Sequence, residues 1–346
     1  MLTILDLGYG REALSRQYRS EPMSSRLFYG LAQLTDKYRV RHRSLSATGG
    51  LWSFVVNNLR ALTPCDVVYV TYFFPLPLVL LALLRRMGIM RRRKVIVVSH
   101  KKLQQRGVVN RLVNGTLDMV FFHSQLNLSE SLSEGSIARE RAAFLYWGDD
   151  LAYIDAHFTP TQGDFFLSTG REQRDYHVLL SAFRHTDARL ELYTNRVNYS
   201  NNYEYLSREQ PSPGRLSINF VANDAATTTL LAQKAASCLC VVNPLLKGEM
   251  TYCVGLTSIV EAMALGKPII TTYNPYSPVD VEKERIGFVV DDEQSWTEAI
   301  SYINTHREEA RQMGLRARLL AEQQFNVEAT AQQLDRCICQ FHFAKR

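Results

Sequence analysis

The sequence predicts an α/β protein of two doubly wound domains, on three observations. The chain has 346 residues, long for one domain and comfortable for two. Short β-branched runs alternate with helical stretches in both halves, and continuous apolar strands between helices mean a parallel sheet covered on both faces. Both periodicities stop near residues 155–164, at Thr159-Pro160-Thr161-Gln162-Gly163. Hydrophobic residues at 46% and charged residues at 21% are ordinary for globular cores.

In the first half the apolar runs place strands at 2–7, 40–45, 66–72, 94–99, 119–123 and 142–146. Helices fill 24–37, 50–61, 76–87, 107–114 and 125–134. The second half repeats the scheme, with strands at 165–168, 189–193, 216–221, 238–242, 268–272 and 287–290. Its helices lie at 176–185, 225–236, 257–265 and 295–304, and 308–324 and 327–342 are helical to the end. The expected division is 1–158, 159–325 and a last helical segment 326–346. Two such domains are expected to face a central cleft with the carboxyl ends of their sheets, where ligands of doubly wound folds bind.

The run Gly255-Leu256-Thr257-Ser258-Ile259-Val260-Glu261-Ala262-Met263-Ala264-Leu265-Gly266-Lys267-Pro268 says most about function. It reads as a glycine turn, a short helix, a glycine stop and a strand start, where Pro is tolerated. Thr257 and Ser258 stand where N-cap and first-turn residues belong, with free amides pointing forward. Such a helix start binds phosphate through those amides and its positive dipole end. Glu261 falls on the same face, so its carboxylate can accept from a ribose diol while the amides hold a diphosphate. The plain alternative is a βα unit with an ordinary capped helix.

This segment resembles the nucleotide-sugar site of GT-B glycosyltransferases, especially family 4, the glycosyl transferases group 1. That family carries Glu-Ala-Met-Ala-x-Gly-x-Pro in its second domain, and residues 261–268 match every defined position. The resemblance implies that Glu261 holds the nucleotide ribose and that Gly255, Leu256, Thr257 and Ser258 bind the donor. Upstream, Ser168-Thr169-Gly170-Arg171-Glu172-Gln173-Arg174-Asp175 is similar to the family's Gly-Arg-x-x-Lys-Gly turn. Gly170 and Arg171 then fit the turn and first cation, and Arg174 takes the place of the Lys; the two cations grip the donor diphosphate. Leu145-Tyr146-Trp147-Gly148-Asp149-Asp150 is similar to the Gly-x-Asp segment ending the family's first domain. The resemblance spans roughly residues 140–340 and is only architectural before them. It implies a last helix that crosses back to the first domain. One position departs from the pattern. Eight residues before the ribose Glu the family has another Glu, near the donor sugar, and here Cys253 stands. The nearest carboxylate is Glu249, which reaches the sugar if the loop carries a small insertion.

In the first half, Gly8-Tyr9-Gly10 follows the first strand. The resemblance puts Gly8 and Gly10 near the donor phosphate, and a plain tight turn is the alternative. Asp6 reads as a strand residue. His100 ends the strand 94–99, where a histidine faces the cleft and can act on the acceptor or neutralise phosphate. A satisfied loop histidine is the other reading, and it applies also to His123. An apolar helix at 76–84 adjoins Arg85, Arg86, Arg91, Arg92, Arg93 and Lys94. It reads either as a crossover helix with a solvated turn or as a patch for anionic lipid.

The net charge of +6 suits anionic ligands or an anionic membrane surface, and no zinc-finger, RNP or basic-region pattern points to nucleic acid. Cys65, Cys238, Cys240, Cys253, Cys337 and Cys339 lack the spacing and histidine partners of zinc sites, so they read as structural thiols of a reducing compartment. No metal and no cofactor beyond the donor is expected. The N-terminus lacks a basic region before an apolar core, and no apolar run reaches spanning length, so the expected place is the cytoplasm, with a peripheral seat on the inner membrane face as an extension. The expected activity is metal-independent, configuration-retaining transfer of a sugar from a nucleotide diphosphate to a glycan or lipid-linked saccharide, in polysaccharide or glycolipid assembly. An epimerase or hydrolase of the same fold, or a non-catalytic nucleotide-sugar binder, are the alternatives.

Overall fold

The computed structural model describes residues 1–170, 172–196, 202–209, 214–248 and 250–343. Its contacts divide the chain into one unit of residues 1–147 and 327–346 and a second of 148–326.

In the first unit the strands are β1 (Thr3–Tyr9), β2 (Arg39–Leu45), β3 (Val67–Val70), β4 (Lys94–Ser99), β5 (Met119–Phe122) and β6 (Ala142–Phe144). They form one parallel sheet in the order β2-β1-β3-β4-β5-β6. The helices are α1 (Arg11–Ser20), α2 (Gly50–Ala61), α3 (Val79–Arg86), α4 (Val108–Asn114) and α5 (Gln125–Ser133). Both sheet faces are apolar, so side chains alternate between two cores. Leu5, Leu7, Val68, Val70, Val95 and Val97 pack with Ala61, Leu81 and Val113 of α2, α3 and α4. Ile4, Val67, Tyr69, Ile96 and Val98 pack on the opposite face, under Phe28, Leu31 and the last helix.

The second unit opens with α6 (Leu151–His157) and carries β7 (Phe165–Thr169), α7 (Tyr176–Arg184), β8 (Arg189–Thr194), α8 (Asn202–Arg208), β9 (Leu216–Phe220), α9 (Ala225–Ser237) and β10 (Cys240–Asn243). It continues with α10 (Leu256–Ala264), β11 (Ile269–Thr272), β12 (Gly287–Val290), α11 (Glu293–Thr305) and α12 (Arg307–Gln323). Its parallel sheet runs β12-β11-β10-β7-β8-β9, with β10 and β7 at the centre. Phe166, Leu190, Leu192 and Val242 meet Leu179 and Leu180 of α7 and the fully buried Trp296 of α11.

The helix α13 (Val327–Phe343) belongs to the first unit, where Ala331, Leu334 and Ile338 join its core. The division falls between Trp147 and Gly148, ahead of the Pro160 break. Asp155 of α6 makes a two-nitrogen pair with Arg318 of α12, at 2.8 and 2.7 Å, which fastens α6 to the second unit. Gly148 lies against the Phe325 backbone, and Asp149 bridges Asn326, so the chain enters and leaves this unit side by side.

Local expectation failed in several places, and the helices Leu151–His157 and Asn202–Arg208 were also not expected. The stretch 24–37 is not one helix but two 3-10 turns, Ser25–Phe28 and Ala32–Leu34. Tyr29 and Gly30 between them are left-handed, at φ 51° and 83°. A Cβ on Gly30 would lie 2.7 Å from the Ala331 Cα, so α13 occupies the space a continuous helix would need. Conversely, Arg11–Ser20 is a helix where none was expected, started by left-handed Gly10 at φ 65°.

Candidate functional site

In the second unit, β7 ends at Thr169 and the chain turns at Gly170, whose φ of 115° favours glycine. A Cβ there would also lie 2.8 Å from Arg174 Cζ. The missing side chain makes room for the Arg174 guanidinium, which folds back under its own turn and is only 4% exposed. Its Nε donates to the Thr169 carbonyl at 3.3 Å and its Nη1 to the Glu172 carbonyl at 2.7 Å. Its Nη2 reaches Ser258 Oγ at 3.5 Å. Asp175 then caps α7 by accepting from the Val178 amide. Arg171 lies outside the described residues.

The turn is braced on two further sides. Residue 174 bridges Leu245 after β10, with Leu246 donating to the Gln173 carbonyl at 2.9 Å. Asn202 of α8 donates to the Arg174 carbonyl at 2.7 Å. Burial lowers the Arg174 pKa, and Tyr176, Glu172 and Tyr252 pull it back up. Arginine stays charged in such a place, so the turn holds a cation stripped of water, where it acts on an anion more strongly than a solvated one.

The second motif is α10, capped by Gly255 at φ 83°. Thr257 and Ser258 thus stand within the first turn and the glycine holds the cap. A Cβ on Gly255 would lie 2.8 Å from Oδ1 of Asn243, the fully buried last residue of β10. Leu256 N–H bonds the Cys253 carbonyl, while the Thr257 and Ser258 amides head the helix, beyond reach of an intrahelical acceptor. Ser258 is buried, its Oγ 3.4 Å from Thr169 Oγ1. Glu261 is half-buried, three residues after Ser258 and four after the exposed Thr257. The fold therefore brings the β7 turn and the head of α10 together across 84 residues of sequence. A cavity of about 190 Å³ adjoins them, lined by Leu245, Val254, Ile259, Thr271, Thr272 and Asn274 among others.

Other residues of this region have packing duties. Cys253 is buried and its thiol is pushed up to about 12 by desolvation, so it stays protonated. Lys267 is buried too and donates to the carbonyls of Thr161 and Cys238, at 2.9 Å for the latter. Glu249 lies outside the described residues. Among the described residues no group of three or more His, Cys, Asp or Glu is arranged to hold a metal ion.

In the first unit, His100 follows β4 and His123 follows β5, with their rings 5.3 Å apart. His123 Nδ1 lies 3.0 Å from the Leu145 carbonyl, which can only accept, so the proton sits on Nδ1 and the sealed Nε2 offers a lone pair. Burial pushes its pKa down to about 4, against the pull of that carbonyl. His100 bonds Tyr29 Oη through Nε2 at 3.2 Å, while its Nδ1 is sealed without a partner. Burial, with His123 beside it, pushes His100 down to about 3. Both rings are neutral at pH 7 and weak as bases; they suit hydrogen bonding better than proton removal. Gly8 is the last but one residue of β1, and a Cβ there would press on Arg11 Cδ at 3.2 Å. Asp6 is fully buried in β1, accepting from Arg11 Nε at 2.8 Å and pairing with His42 Nδ1 at 2.7 Å. Sequence reading missed Asn243 and the Arg11 and His42 pairings, which only the adjacency of strands and turns creates.

No protein-family model matches the chain, and no curated protein does. Solved structures match along its whole length. The Anabaena HepE protein, seen in complex with UDP and glucose and with UDP-glucose, is 16% identical and covers 98% of this chain and 100% of its own, with TM-scores of 0.66 and 0.68. AviGT4, a glycosyltransferase involved in avilamycin A biosynthesis, is 13% identical over 99% of this chain and 98% of its own, at 0.61. A Listeria monocytogenes protein described as a UDP-N-acetylglucosamine 2-epimerase is 10% identical over 100% and 97%, at 0.59. At these identities the likeness concerns architecture. With two parallel six-stranded Rossmann-like sheets, the chain has the GT-B fold.

Proposed function

We propose that the chain is a glycosyltransferase moving a sugar from a nucleotide-diphosphate donor to a glycan or lipid-linked saccharide. One observation carries the reading: a buried guanidinium and the amide-bearing head of a helix converge at the carboxyl ends of β7 and β10. As the bond to the sugar breaks, negative charge grows on the diphosphate. Arg171, Arg174 and the amides of Thr257 and Ser258 offset it in this proposal with no metal ion. Glu261 receives the ribose hydroxyls. Gly170, Gly255 and Leu256 shape the donor seat, and Gly8, Gly10 and His100 serve the first unit's side of the reaction. Retention of configuration at the sugar belongs to the reading through the family-4 resemblance of residues 255–268.

UDP-sugars are the first donors to try, because HepE was captured with UDP and UDP-glucose. The protein is incubated with a panel of UDP- and GDP-sugars, with and without saccharide acceptors, and nucleoside diphosphate release is followed. Release that depends on acceptor supports transfer, and NMR of the product gives the anomeric outcome. Release without acceptor would mean hydrolysis, and a changed sugar on an intact nucleotide would mean epimerisation, the activity named for the Listeria protein. Binding with no turnover of any kind would leave a sensor.

Glu261→Ala should weaken donor-nucleotide binding by about 1.5–3 kcal/mol, the size of a hydrogen bond to a charged group. Unchanged affinity in calorimetry would remove Glu261 from the ribose. The sugar-side contact is a separate matter. Since the Cys253 thiol is buried and protonated, Cys253→Ala should leave transfer within about twofold, while Glu249→Gln should cut it strongly at unaltered nucleotide affinity. The opposite pattern in initial-rate kinetics would return the role to position 253.

A further inference from the structure

The α2–α3–α4 layer of the first unit leaves a set of large apolar side chains exposed. These helices pack side by side on one face of the sheet, and Asn58 ties α2 to α3 and the turn before it by donating to the Leu76 carbonyl at 2.9 Å and accepting from the Leu80 amide at 2.7 Å. A helix layer on a soluble domain normally turns polar residues outward. Here Leu51, Trp52, Val55 and Leu59 run the length of α2 in the open, Leu51 and Trp52 being 78% and 76% exposed. Leu83 of α3 and Met87 just past its end are also exposed, and Val108 heads α4 at 74% exposed. Single exposed apolar residues are common, but an adjoining set on neighbouring helices marks an interaction surface.

The charge around this face names its occupant. Residues 67–117 carry ten Lys and Arg and no Asp or Glu. The rest of the chain then has 30 basic against 34 acidic residues, so the positive excess lies in the segment from β3 through α4. Arg86, Arg91, Arg92, Arg106 and Arg111 are exposed, and no carboxylate of the described residues pairs with them. An apolar strip with an exposed tryptophan, on a helix layer whose turns and ends carry unpaired arginines, fits the boundary between acyl chains and anionic headgroups. No helix among the described residues is long and apolar enough to cross a membrane. We propose that the chain docks in the plane of an anionic phospholipid bilayer through the outer face of α2, α3 and α4, with Leu51 and Trp52 inserted and the arginines on the headgroups. The proposal is independent of the donor chemistry above.

Trp52 makes the test site-specific, because Trp147 and Trp296 are 7% and 1% exposed and report little of the surface. The whole protein is mixed with vesicles of zwitterionic lipid alone or with about a third anionic lipid, at low and high salt. The expected result is flotation with the anionic vesicles, a blue-shifted Trp emission and quenching by brominated acyl chains. Leu51→Ser with Trp52→Ser should reduce partitioning roughly tenfold or more. Arg86→Ser, Arg91→Ser and Arg92→Ser together should reduce it by about a hundredfold at low salt and much less at high salt. The altered side chains are exposed, so an unchanged thermal midpoint shows that the variants fold. Absence of flotation at low salt overturns the proposal, as does equal binding by parent and both variants. So does a dimer, seen in sedimentation, that Trp52→Ser dissolves: the face would then cover a second copy of the chain.

Discussion

Arg174→Ala should lower sugar transfer by about a hundredfold or more, the loss met when one preorganised donor to a developing oxyanion is removed. The guanidinium is already buried and fixed by three acceptors, so it needs no rearrangement as charge builds on the leaving diphosphate. The loss should fall mainly on kcat, because the charge it meets is largest in the transition state. Alanine also leaves the Thr169 and Glu172 carbonyls without their partner, which costs stability as well as rate. Arg174→Lys separates the two effects. The resembling family carries Lys here, so the charge should suffice for much of the proposed activity, while one ammonium cannot reproduce the three-way fork. Lys should therefore transfer at least tenfold faster than Ala and still melt below the parent. A kinetic series in which only KM moved would mean that Arg174 holds the donor without assisting the chemistry.

Gly255→Ala should damage both the stability of the second unit and its nucleotide binding. It forces a side-chain-bearing residue to φ 83° and drives its Cβ into the buried Asn243 amide. Left-handed backbone costs about 1–2 kcal/mol and overpacking a tight site about 1–3 kcal/mol, so about 2–5 kcal/mol is expected in all. In a unit of this size that lowers the melting temperature by roughly 5–15 °C. Nucleotide binding should fall with it, since a displaced cap re-aims the amides of Thr257 and Ser258. Gly10→Ala is the control: it has a similar left-handed φ of 65° but nothing within 4 Å of the added Cβ. It should cost only the backbone part. Equal destabilisation of the two variants in urea titrations would show that the Asn243 contact is not what demands glycine at 255.

The sequence by itself determined the layered α/β architecture and most of its strands. Runs such as 95–98 and 119–122 are apolar throughout, and such a run is stable only in a sheet covered on both faces. It also held the ingredients of the proposed donor site, because a glycine cap, a short helix with a carboxylate one turn in and a Gly-Arg turn are local patterns. What it left open were the relations between distant segments. That Arg174 is buried rather than solvated depends on Gly170, Leu245, Asn202 and Ser258, brought in by β7, β10, α8 and α10. The neutral state of His100 and His123 is likewise set by neighbours on other strands, whose crowding removes the water an imidazolium would need. Residues 24–37 show the converse: a helical pattern gave way because the α13 backbone occupies the space beside Gly30. Periodicity reports which face of an element is buried. Only tertiary structure decides what is buried against it, and that neighbour sets the charge, strain and chemistry of each side chain.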